Sequence, residues 1–159
     1  MRRSSWFSED PQETNINYYP PAVSRRIPQW ARDLPINERT LLDEVYGALH
    51  AGSRRLAMMG ARALIDVALV SKVGDQGTFA KTLAEGESQG YISKQNRDVP
   101  GAAFDAGSAA AHRGHNASAK EVSQVIDIVE NLLQSVYVLE SLADDLRKKT
   151  PPRAKAPKT

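Results

Sequence analysis

The chain has no cysteine, which excludes disulfides and thiolate metal centres and fits a reducing, cytoplasmic setting. Long apolar runs are missing too. The longest, Leu56 to Val70, falls short of the roughly 20 residues a membrane helix needs and carries Arg62 and Asp66, so no membrane partner is expected. The opening MRRSSWFSED lacks the apolar stretch of a signal peptide. No alternating apolar pattern or Asn-Gly hairpin signal occurs, which argues against a β fold. Nor is there a strong excess of one charge, with 21 Lys or Arg against 19 Asp or Glu. Six of those cations lie between Arg147 and Thr159, where there are no acids. The rest of the chain is therefore slightly acidic, which argues against a uniformly basic nucleic-acid face.

What is present divides the 159 residues into three parts. Residues 1–35 hold Pro11, Pro20, Pro21, Pro28 and Pro35 with Trp6, Tyr18, Tyr19 and Trp30 between them. Proline at that density forbids a long helix, and the aromatics suggest an arm laid on the body. Residues 36–149 read as helices throughout. Asn37 is placed to cap a helix bearing Leu41, Leu42, Val45, Tyr46 and Leu49. A second helix, Ser53 to Val73, is apolar on so many positions that cover on nearly every face is expected. Gly74-Asp-Gln-Gly77 makes a turn, and Thr78 caps a third helix with Phe79 and Leu83. Ser93 caps a short piece that Pro100 interrupts, and a small-residue helix runs from Ala102 to Arg113. Ser118 and Glu121 form a capping box that opens the longest helix, Ala119 to Lys149. Residues 150–159 form a basic tail expected to be disordered. The fold class is all-α, a single bundle of about five helices.

The densest chemistry lies in DAGSAAAHRGH, Asp105 to His115. His112 and Arg113 support two readings. At a helix end before Gly114 their charges complement the macrodipole, and Ala109 to Ala111 permit close packing. Alternatively the imidazole and guanidinium act together as acid–base group and anion clamp. Arg62 and Asp66, four apart on the core helix, either pair with each other or line a polar hole beside the His112 segment. His112 and His115 are three apart, but no carboxylate or thiolate cluster accompanies them, so neither a metal nor any other cofactor is expected. Gly74-x-x-Gly77 is no phosphate loop, because no Gly-Lys-Ser/Thr follows it.

These segments carry a resemblance. EVYGAL (Glu44 to Leu49), LAMMGARALID (Leu56 to Asp66), VGDQGTF (Val73 to Phe79) and DAGSAAAHRG (Asp105 to Gly114) are similar to the bacterial domain of unknown function 4145 family. VIDIVENLL, YVL and TPPR continue the match as far as Arg153. The resemblance implies a helical bundle with a distant likeness to the HEPN superfamily, which includes ribonucleases, toxins and accessory modules of phage defence. It also implies a homodimer or another protein partner. An active ribonuclease of that superfamily would carry an arginine shortly before its histidine, yet none occurs between Arg97 and Arg113. The expected function is thus an intracellular interaction or regulatory module associated with prokaryotic or phage defence. The alternative is a divergent ribonuclease that uses His112 with Arg113 or Arg62, with Asp105, Asp66 and His115 as supporting ligand-binding groups. RNA is the partner that this alternative requires.

Overall fold

The computed structural model describes residues 25–157. The expectations for Trp6, Tyr18 and Tyr19 lie outside the described residues. Of the arm, the part from Arg25 to Pro35 lies on the body. It includes a 3-10 turn, Gln29–Asp33, which buries Ala31 and rests the half-buried Trp30 against the core.

Six helices follow: α1 (Ile36–His50), α2 (Arg54–Val73), α3 (Phe79–Ser88), α4 (Asp98–His112), α5 (Ala119–Leu133) and α6 (Leu139–Lys149). A π-helical segment, Gln134–Val138, joins α5 to α6, so the last three elements form one helical run and the bundle has five rods. Among the described residues there is no strand.

The caps show where local chemistry decided the boundaries. Thr78 accepts a bond from the Lys81 amide, and the Ser118–Glu121 capping box is formed in both directions. Gly114, at φ +65°, follows α4 in the left-handed conformation that glycine adopts without a Cβ penalty. Three expectations need correction. Pro35, not Asn37, is the cap of α1, and its carbonyl accepts from the Arg39 amide at 2.9 Å. Pro100 does not interrupt a helix. It occupies the first turn of α4, where a missing N–H costs nothing, so α4 starts four residues earlier than the small-residue pattern indicated. The helix expected from Ala119 to Lys149 is not α-helical throughout, because the π segment breaks its hydrogen-bond ladder.

Helix α2 is the central element and packs against α1, α3, α4 and α5. It buries Ala57, Met58, Ala61, Leu64, Ile65, Ala68 and Leu69. Full burial of a leucine or isoleucine contributes about 1.5–3 kcal/mol, so this row is a major source of the bundle's stability beside the Val, Ile and Leu residues that α5 buries. The expectation of cover on nearly every face is corrected: Leu56, Met59 and Val67 are exposed along the opposite side. Glycines let the neighbours close in on it. A Cβ on Gly107 would meet Arg62 Cβ at 2.6 Å and the Met58 carbonyl oxygen at 2.8 Å. The small residues of α4 are therefore needed for its packing on α2.

Two polar pairs stitch α1 to the last helical run. The hydroxyl of fully buried Tyr46 donates to Glu130, and Tyr137, in the π segment, donates to Glu38 at 3.0 Å. Glu38 is itself only 4% exposed. Arg25 fastens the start of the described chain to the same helix, bonding Asp127 at 2.7 Å, Glu130 at 3.0 Å and Ser123 at 3.2 Å.

Candidate functional site

The small-residue pattern of α4 brings its Phe104–Ser108 turn onto the side of α2 that carries Arg62. Residues four apart share a helix face, so Phe104 and Ser108 meet the same side chain. Arg62 donates from Nε to Ser108 Oγ at 2.8 Å, and its guanidinium lies 4.4 Å from the centroid of the Phe104 ring. The other side of Phe104 stacks on Phe79, with centroids 3.6 Å apart and planes 3° from parallel. The result is a three-layer stack of guanidinium and two rings, built from α2, α4 and the first residue of α3. A cation over an aromatic face gains about 0.5–1 kcal/mol at partly exposed sites and loses orientational freedom, so Arg62 is a positioned charge.

Asp66 does not pair with Arg62. It is exposed and forms no ion pair among the described residues, while Arg62 turns to Ser108 and Phe104. Of the two readings, the mutual pair is not formed, because α4 offers the guanidinium both a hydroxyl and a ring. Asp105 and Arg113 are brought together instead. Arg113 Nη2 donates to the Asp105 carboxylate at 2.9 Å and to its backbone carbonyl at 3.1 Å. That ion pair spans the last two turns of α4 and is open to solvent.

His112 is the last residue of α4, exposed, and has no hydrogen-bond partner among the described residues. It lies one helical turn beyond Ser108, so it shares the face that receives Arg62. His115 belongs elsewhere. Its Nε2 lies 3.4 Å from Glu121 on α5, whose carboxyl is held below the usual carboxylate range by the Ser118 backbone N–H and the His115 charge. No group of three or more His, Cys, Asp or Glu side chains suited to a metal occurs among the described residues.

Sequence reasoning missed Phe79, Phe104 and Ser108. Two signals could have found them. The 104/108 spacing is helical, and Phe79 closes VGDQGTF as Phe104 precedes DAGS, so each aromatic abuts a segment already singled out. The Tyr46–Glu130 and Glu38–Tyr137 pairs span more than 80 positions and have no local signature. Burial and the bond to Glu130 push the Tyr46 hydroxyl up to about 12, and burial with the Glu38 carboxylate does the same for Tyr137.

Chemically, the site offers a fixed guanidinium, a self-neutralised Asp–Arg pair and an exposed imidazole on one end of α4. It suits contact with an anionic group at Arg62 and recognition by shape around the stack. Among the described residues no helix is long and apolar enough to cross a membrane. The profile of one family, described as Domain of unknown function (DUF4145), matches residues 43–149. No curated protein and no solved structure matches the chain.

Proposed function

The chain belongs to the Domain of unknown function (DUF4145) family, and from that premise we propose that it is a cytoplasmic interaction module that pairs with a second copy of itself through α6. The carrying observation is that α6 buries no residue, although it bears Leu139, Leu142 and Leu146 at helical spacing. These leucines are 47%, 47% and 66% exposed. Ile36, 72% exposed, lies two residues before the Glu38 that bonds Tyr137, at the end of the bundle where α6 begins.

A second copy is the occupant that the charges favour. Glu140, Asp144 and Asp145 precede Arg147, Lys148 and Lys149 along α6. Two such helices laid antiparallel set the acidic half of each against the basic half of the other. That arrangement has two-fold symmetry and closes on itself. An 11-residue helix is about 16 Å long and covers only part of the 1,200–2,000 Å² typical of a stable interface. The pairing is accordingly weak and sensitive to salt. Within this reading, a HEPN-like accessory role in prokaryotic or phage defence rests on the sequence resemblance alone.

Sedimentation equilibrium over a range of concentrations tests it. The expected result is a monomer–dimer equilibrium that Leu142→Asp with Leu146→Asp shifts fully to monomer, with helicity by circular dichroism unchanged. A chain that stays monomeric at every concentration refutes the proposal.

A further inference from the structure

A separate cleft of about 230 Å³ opens between the segment before α4 and the junction of α5 with the π segment. Its floor is apolar, formed by buried Ile92, Pro100 and Leu132. Around the floor stand Tyr91, Ser93, Asn96, Asn131 and Ser135. No lining residue carries a formal charge, on a chain in which a quarter of all residues are charged.

The polar groups have capacity to spare. The carboxamides of Asn96 and Asn131 and the hydroxyls of Tyr91 and Ser135 make no side-chain hydrogen bond to another described residue. Ser93 Oγ accepts from the Asn96 amide at 3.2 Å, which leaves its own proton to donate. Lys72 lies 5.9 Å from the Tyr91 ring centroid, but it is shared with Tyr137 and forms no part of the wall. Ser135 belongs to the π segment, an irregularity that recurs at functional sites.

These features define a ligand class. A phosphate or carboxylate would find no cation in the wall to offset its desolvation. A volume below the usual 300–1,000 Å³ of small-molecule sites limits the occupant to one compact ring system. A carboxamide presents a donor and an acceptor side by side, the pattern that pairs in a bidentate way with an amide-like edge. We propose that this cleft binds an uncharged planar heterocycle with an amide-like edge, of the nucleobase class. Asn131 and Asn96 read the edge, and the apolar floor covers the face. The inference is independent of self-association through α6.

Saturation-transfer NMR on the full chain tests it, using adenosine, guanosine, cytidine and uridine, their 5′-monophosphates and a short single-stranded RNA. At least one nucleoside is expected to receive saturation, its monophosphate to bind no more tightly, and Asn131→Leu to abolish the signal. Asn131 is exposed, so the variant keeps the fold, which circular dichroism verifies. RNA that binds where nucleosides do not, and that Asn131→Leu releases, supports the same chemistry with the base supplied by a strand. The proposal is overturned if none of these probes binds. It is also overturned if binding survives in Asn131→Leu, or if a monophosphate binds tenfold tighter than its nucleoside.

Discussion

Tyr46 on α1 donates its hydroxyl proton to Glu130 on α5, and Arg25 reaches both members of the pair, at 3.2 Å from the hydroxyl and 3.0 Å from the carboxylate. Eight residues earlier on α1 the chemistry is reversed, with Glu38 accepting from Tyr137. Two antiparallel rods are thus tied twice, each supplying one tyrosine and one carboxylate. Such pairs contribute specificity because a register slip would leave the buried Tyr46 and Glu38 and the half-buried Glu130 and Tyr137 without partners.

The alkaline limb of stability follows from these tyrosines. Both hydroxyls are raised from the ordinary 10.0 to about 12 in the fold, so the folded state holds its protons more tightly than the unfolded state. Their contribution is fully present below pH 10 and is lost as pH rises from 10 to 12. Urea midpoints measured between pH 8 and 12 are expected to fall in that window. Tyr46→Phe with Tyr137→Phe should flatten the fall, and an equally steep decline in the double variant would contradict this assignment.

Gly107→Ala should destabilise the bundle by about 1–3 kcal/mol, because the new methyl meets the Met58 backbone oxygen and a stacked arginine. Gly101→Ala on the same helix meets only Leu83 Cδ2 at 3.7 Å, an ordinary contact. That variant should be neutral or gain up to about 1 kcal/mol from helix propensity. Thermal unfolding of the two proteins side by side separates close packing from a generic glycine effect.

Arg62→Lys preserves the charge but loses the planar stack on Phe104 and the Nε bond to Ser108. A cost of about 1–2 kcal/mol is expected, nearly that of Arg62→Ala. If lysine restored full stability in urea unfolding, charge alone would explain the position.

His112→Ala should leave stability within about 0.5 kcal/mol, since the ring is exposed and unbonded to described residues. With Arg113 engaged by Asp105, and Arg62 by Ser108 and Phe104, end-labelled RNA is expected to remain intact with both proteins. Cleavage by the wild type that the variant lacks would establish the ribonuclease alternative.

The bundle was readable because its determinants are local. Thr78, Ser118 and Gly114 announce helix ends, and the apolar periodicity of α2 and α5 marks their buried rows. Pro100 misleads because proline both breaks helices and starts them, and only the surrounding packing selects between the two. At the site, DAGSAAAHRGH pointed to the right helix end but not to the right partners. Arg62 chose Ser108 and Phe104 over Asp66 because a residue 46 positions away came closer than one a single turn along. Long-range choices of that kind, like the two tyrosine–carboxylate ties, are settled by tertiary contact and leave no periodic trace.

The π segment gives the last helix a phase of its own. Hydrogen bonds that skip five residues rather than four absorb one extra residue, which turns everything downstream by roughly 100° relative to an unbroken α-helix. Were the same residues to close as an unbroken α-helix, that turn would be undone. Leu139, Leu142 and Leu146 would then point in a new direction with no side chain of α6 altered. The outward bearing of this helix is therefore set by the hydrogen-bond pattern of the segment before it as much as by its own residues.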